Sequence, residues 1–255
     1  MSLPRVIPAL LLKGNGLVKG VKFKNHEYVG DPINTVKIFN DKEVDELIIL
    51  DIMASLNASD PNFEILKELA SEAFMPMGYG GGIQSLDQAK RVFDLGFEKI
   101  VIGTAALINL DLIASIANVY GSQSVVVSLD IKKNWFKKYQ LYGYSGSKKM
   151  NIELKKFVDQ IITAGAGEIL LNNIDHDGTK KGYDLEIIKE ISCLAPVPIV
   201  SLGGAWELSD LKKGIQAGAS AVSAGSMFVY EGKFNAVMVN YPKYSEIEHF
   251  FKADN

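Results

Sequence analysis

Cysteine is almost missing from this sequence: Cys193 is the only one in 255 residues. That excludes a disulfide framework and a zinc–cysteine site, and it fits a reducing cytosol. Neither sign of charge is in excess. At a net charge of −3, no global field favours nucleic acid. Long apolar runs are also missing. None reaches the length of a membrane span, so no membrane partner is expected. No segment is low in complexity, no set of residues has metal-ligand spacing, and nothing calls for a cofactor. The opening MSLPRVIPALLL lacks the basic segment and cleavage site of a secretory leader, so the expected location is cytoplasmic.

What the sequence does have is a repeat. Residues 75–107, MPMGYGGGIQSLDQAKRVFDLGFEKIVIGTAAL, read as strand, glycine turn, helix, strand, glycine turn. Residues 197–229 read the same way at a shift of 122, without a gap. Gly81-Gly82 falls on Gly203-Gly204, Gly103-Thr104 on Gly225-Ser226, and Glu46 on Glu168. A period near half the chain length means two similar halves. Each half alternates strands with helices, which predicts an α/β fold: a (β/α)₈ TIM barrel with a two-fold half-barrel repeat. The 255 residues, 47 % hydrophobic, suit one barrel domain with halves at about 1–122 and 123–255.

In order, the expected strands are 5–12, 46–51, 75–79, 99–102, 124–132, 168–172, 197–202 and 219–224. Continuous apolar runs such as RVIPALLL are what buried parallel strands require. Lys13 to Gly30 reads as a long loop, the kind that serves as a lid or binding loop. Asp31-Pro32 and Asp60-Pro61 read as helix starts. Residues 132–149, KKNWFKKYQLYGYSGSKK, read as an inserted basic and aromatic hairpin with a covering or docking role. Amphipathic helices are expected over 151–164, 184–194 and 207–217, and a terminal one near 243–252.

In such barrels the loops after the strands build the active site. Gly82, Gly203 and Gly204 sit there, with Gly103-Thr104 and Gly225-Ser226. Glycine admits a backbone N–H close to an anion, a helix N-terminus adds positive charge, and a hydroxyl adds a donor. Two such sets predict two phosphate sites and a long substrate phosphorylated at both ends. The site near Gly204 is expected to be the better one, with Asp177-Gly178 beside it. Asp51 and Asp130 each end an apolar strand, where an aspartate serves as general acid or base, or alternatively caps a helix. Asp175 and Asp177 flank His176, which reads as a solvent-facing loop residue. At the other end, Arg5, Glu46, Lys99 and Glu168 alternate in sign around the barrel floor, which from chemistry alone reads as a structural salt-bridge ring.

The motifs DELIILDI (45–52), GGGI (80–83), YGSQSVVVSLD (120–130), GYSG (143–146), GAGEILLNNIDHDGTKKGYD (165–184) and GGA (203–205) carry a resemblance over nearly the whole chain. The sequence resembles the cyclase subunit of imidazole glycerol phosphate synthase, the HisF family. The resemblance implies a glutaminase subunit docked at the barrel floor, sending ammonia up the interior to a phosphorylated small-molecule substrate. It turns Arg5, Glu46, Lys99 and Glu168 into the gate of that ammonia path. Lys19 matches a substrate-contacting lysine, and Asp130 matches one of two catalytic aspartates. The other aspartate of the family ends strand one, and here that position is Leu11. The internal repeat agrees, since VIPALLLK (6–13) aligned on VVVSLDIK (125–132) sets Leu11 opposite Asp130. Gly103 also replaces the family's asparagine, and Leu202 a serine. Similar paralogues accompany sugar-modifying amidotransferases of lipopolysaccharide and O-antigen pathways. The resemblance therefore implies two roles: a cyclase, or a non-cyclising ammonia conductor for a third, sugar-modifying enzyme.

Overall fold

Eight apolar runs become eight parallel strands, and they close on themselves in the computed structural model, which describes residues 3–252. They are β1 (Arg5–Lys13), β2 (Leu47–Asp51), β3 (Met77–Gly80), β4 (Lys99–Ile102), β5 (Val125–Lys133), β6 (Glu168–Asn173), β7 (Ile199–Leu202) and β8 (Ala221–Ala224). Each pairs in parallel with the next, and β8 returns to β1 with Val222 opposite Val6. Around this ring lie α1 (Pro32–Asp41), α2 (Phe63–Glu72), α3 (Leu86–Asp94), α4 (Asp111–Tyr120), α5 (Leu154–Thr163), α6 (Leu185–Leu194), α7 (Leu208–Gln216) and α8 (Tyr244–Lys252). The fold is the expected (β/α)₈ barrel.

Two apolar layers explain why the strand runs are continuous. Successive side chains on a strand point to opposite faces. Ile7, Ala9, Ile48, Val126, Leu170 and Val200 pack together inside the barrel. Their neighbours Val6, Leu10, Ile49, Val127, Ile169 and Ile199 face the helices. Both faces are buried, so no polar alternation appears.

Helix starts follow local chemistry. Asp31 caps α1, its carboxylate accepting from Asn34 N at 2.8 Å, with Pro32 in the first turn. Ser85 and Gln88 form a reciprocal capping box at α3. The expectation for Asp60-Pro61 needs correction: the cap of α2 is Asn62, while Asp60 accepts from Gln88 Nε2 at 2.6 Å. Lys13 to Gly30 is not a loop either. Gly16–Val21 and Lys24–Gly30 form an antiparallel hairpin that extends β1. Its turn residues, Lys22 and Phe23, have φ of 53° and 60°. Two-residue turns of that hand normally use Asn-Gly, so Lys-Phe gives no turn signal. The second hairpin stands where expected, with Tyr139–Gly143 antiparallel to the end of β5. Strands β3 and β7 start two residues later than the expected 75 and 197. Pro76 and Pro198 precede them, and proline has no ladder N–H to give.

Candidate active site at the barrel mouth

All eight strands deliver their carboxyl ends to one side, where a cavity of about 630 Å³ opens. Residues from both halves line it: Leu11, Lys19, Asp51, Gly82, Gly103 and Thr104, then Asp130, Asn172, Asp177 and Leu202. Gly178, Gly203, Gly204, Gly225 and Ser226 sit beside it around a second, much smaller cleft of about 10 Å³, together with Lys19 and Asp177.

Asp130 leaves the end of β5 and turns inward. Its Oδ1 accepts from Asn172 Nδ2 at 3.3 Å and lies 3.5 Å from Ser128 Oγ. Burial raises its pKa to about 7, helped by the nearby Asp177 charge and opposed by the Asn172 and Ser128 hydrogen bonds. A carboxyl group held there exchanges its proton near neutral pH, as an acid–base group must. Across the cavity, the position that ends β1 is Leu11, paired in register with Leu50 of β2. The second-half acid thus faces a first-half aliphatic wall.

The other carboxylates at the mouth are engaged elsewhere. Asp51 Oδ1 accepts from the backbone N–H of Met53 at 2.9 Å and of Ala54 at 3.1 Å, opening the short helix Ala54–Asn57. Desolvation raises its pKa against those two hydrogen bonds. Asp177 pairs with Lys19, Oδ1 to Nζ at 3.5 Å, and both side chains are buried. Its Oδ2 has no hydrogen-bond partner among the described residues. Asp175 accepts from Lys133 N at 3.0 Å, and His176 Nδ1 contacts Gly182 O at 2.8 Å. Those two residues hold loop six in shape.

The two glycine sets differ. Gly82, at φ 72°, passes close under Ser59, where a Cβ would lie 2.6 Å from its carbonyl oxygen. Thr104 Oγ1 accepts from Tyr144 N at 2.8 Å, which ties the second hairpin across the first half. Gly103 sits at φ −103° and ψ −96°, and a Cβ there would have space, with Ser128 Cβ at 3.9 Å. Its lack of a side chain widens the cavity. In the second half, the Lys19 ammonium lies over Gly225, where a Cβ would be 2.4 Å from it, and lines the cleft between Gly204 and Ser226. An anion entering that cleft has to displace Lys19 or bind against it.

At the floor, Arg5 bridges Glu46 and Glu168, and Lys99 bridges the same two carboxylates at 2.9 and 2.7 Å. Glu46 and Glu168 are almost wholly buried, while Arg5 and Lys99 reach solvent. The four residues close a ring below the apolar interior formed by Ile7, Ile48 and Leu170.

Sequence reasoning missed three residues here. Asn172 and Ser128 are the hydrogen-bonding partners of Asp130, and Tyr144 holds Thr104. A signal for Asn172 did exist: it is a polar residue closing the apolar run EILLN. Nothing local marks Ser128 or Tyr144, whose partners lie on other elements.

The described family of Histidine biosynthesis proteins matches residues 5–235. The chain is 47 % identical over 253 residues to a protein of Leptospira borgpetersenii named "Putative imidazole glycerol phosphate synthase subunit HisF", covering 98 % of this chain and 100 % of that one. It is 47 % identical over 245 residues to the similarly named subunit hisF2 of Pseudomonas aeruginosa, covering 96 % and 98 %. To the imidazole glycerol phosphate synthase subunit HisF of Exiguobacterium sibiricum it is 36 % identical over 228 residues, covering 89 % and 91 %.

Proposed function

Because the chain belongs to the Histidine biosynthesis protein family, among its HisF-like synthase subunits, we propose that it receives ammonia at the barrel floor from a glutaminase subunit and releases it at the mouth, with its own cyclase chemistry impaired. Leu11 carries this reading. Ring closure on a bis-phosphorylated substrate asks for proton transfers at two places. Asp130 is poised for one, and a leucine stands where its counterpart is needed. Asp51 is engaged at a helix start and Asp177 Oδ1 with Lys19, which argues against either replacing it. Meanwhile the floor ring of Arg5, Glu46, Lys99 and Glu168 is complete, which supports ammonia entry. Exposed Phe74, in the floor loop before β3, suits a docked partner.

The final acceptor on this reading is a third, sugar-modifying enzyme, which takes its nitrogen from the ammonia leaving the mouth. The second reading, an active cyclase, draws on Lys19 and Asp130 both lining the cavity. One assay separates them. Supplied with ammonium salt and the bis-phosphorylated histidine-pathway substrate, the chain should turn over at least about 100-fold slower than a member with both aspartates, the cost of losing a positioned acid or base. Ordinary turnover would refute the impaired-cyclase reading.

A further inference from the structure

The tip of the basic and aromatic hairpin lies outside the cavity lining. Its turn, Asn134 to Lys138, carries Trp135 and Phe136, which are 94 % and 80 % exposed. Turn positions normally hold Gly, Asn, Asp or Ser. A Trp-Phe pair there packs against nothing and leaves two aromatic rings in water. A third aromatic does the same at Phe234, 92 % exposed in the turn joining Tyr230–Glu231 to Ala236–Val237. Val237 and Met238 beside it are about half exposed. Among the described residues four aromatics exceed 75 % exposure, and three of them sit on these two turns. The fourth, Phe74, lies at the opposite end.

Both turns extend from carboxyl ends of parallel strands, β5 and β8, so they stand on the same side of the barrel. Lys180 of loop six bonds to Asn235, and the Lys133 backbone bonds to Asp175 of that loop. Loop six therefore ties the two turns into one rim. The rim is basic. Residues 13–30, 132–149, 174–186 and 230–238 hold 13 lysines and six acidic residues, a net of +7 in a chain of net −3. The remainder carries −10. These four segments all stand on the side of the barrel where the cavity opens.

We propose that this rim is a peripheral membrane-contact surface: Trp135, Phe136 and Phe234 enter the interface of an anionic bilayer while the surrounding lysines meet its headgroups. Aromatic tips flanked by lysine combine the apolar and electrostatic terms of interfacial binding, and no spanning helix is needed. An acidic protein is the rival occupant. Protein interfaces place their apolar contacts in one central patch with a polar rim around it. Here the exposed aromatics are separate points on two turns, set among lysines and outside the cavity lining. A fluid bilayer accommodates separate points without needing a matching face. Docked in this way, the cavity opens onto the lipid surface. The inference does not rest on ammonia conduction, because it stands on the exposed aromatics and the lysines of the rim; an ammonia acceptor would then meet the mouth at the lipid surface.

The test uses the whole chain with vesicles of phosphatidylcholine alone or mixed equally with phosphatidylglycerol. Co-sedimentation should occur with the anionic vesicles and fall at least tenfold between about 50 and 500 mM salt, where screening shortens the electrostatic reach severalfold. With two tryptophans in the chain, Trp206→Phe leaves Trp135 as the reporter, and its emission should move to shorter wavelength on binding. The triple change Trp135→Ser, Phe136→Ser, Phe234→Ser should weaken binding at least tenfold with Tm unchanged, since these side chains pack on nothing. Three outcomes overturn the proposal: no sedimentation with anionic vesicles at low salt, binding with unshifted Trp135 emission, or equal binding by the triple variant. Absence of vesicle binding together with a stoichiometric complex between this rim and an acidic ammonia-accepting enzyme would assign the surface to that protein instead. Glutaminase binding at the floor is scored separately and does not bear on any of these results.

Discussion

Asp130 illustrates what burial does to a single carboxyl group. Its pKa lies near 7 in the folded chain and near 4 when unfolded. The folded state therefore holds the proton more tightly. Its stabilising contribution is complete below about pH 4 and is lost as pH rises through about 7. Asp130→Asn removes the charging cost, so at pH 8 the variant should melt several degrees above the parent. The gap should narrow as the pH falls below 7 and close only near pH 4, which thermal melts across that range check. At the opposed position, Leu11→Asp should recover part of the cyclase rate, provided the glycine clefts still hold the substrate. Asp130→Asn in that background should abolish the recovered part. Recovery that survives Asp130→Asn would mean another group, Asp51 or Asp177, supplies the second proton transfer.

Single elements depend on a few backbone positions. Gly204 sits at φ 110°, and a Cβ there would collide with the carbonyl of Gly182. Gly204→Ala should destabilise the chain by roughly 1–3 kcal/mol through strain and the displaced loop, lowering Tm by several degrees. Gly103→Asn is the contrasting case. The open space beside it takes the side chain, leaving only the cost of its unusual ψ of −96°, so Tm should fall less than for Gly204→Ala. At α1, Asp31→Ala should cost about 1 kcal/mol through the lost cap. Phosphate soaked into crystals should settle at Gly82 and Thr104, where the large cavity gives access. At Gly204 and Ser226 it should appear only with Lys19 moved off Gly225. Both sites empty at millimolar phosphate would count against anion binding.

At the scale of the molecule, the floor ring couples β1, β4, β6 and the residue that opens β2. Glu168 is buried and bridges both Arg5 and Lys99. Removing one partner of a buried ion pair leaves an uncompensated charge, a loss of about 3–5 kcal/mol for full burial. Arg5 and Lys99 both reach solvent, so Glu168→Gln should fall below that range, at about 1–3 kcal/mol. The same variant should still bind the glutaminase but couple glutamine hydrolysis to ammonia delivery poorly. The parent chain should co-purify with that glutaminase as a one-to-one complex, and none at micromolar concentration would sink the partner assignment.

The sequence alone determined the barrel, its two-fold repeat and the position of each of the eight barrel strands to within about two residues. Those features are written in local chemistry: buried parallel strands need continuous apolar runs, and helices need capping residues and amphipathic spacing. It also brought Leu11 and Asp130 opposite one another, because the repeat itself carries that register. Tertiary structure decided the rest. Neither the Lys13–Gly30 hairpin nor α4 was legible, the first for want of turn residues. The engagement of Asp51 with a helix start, of Asp177 with Lys19 and of Thr104 with Tyr144 depends on contacts far apart in sequence or on backbone conformation. Which carboxylate remains free to move a proton is a property of the closed barrel, since only packing settles which partners reach it.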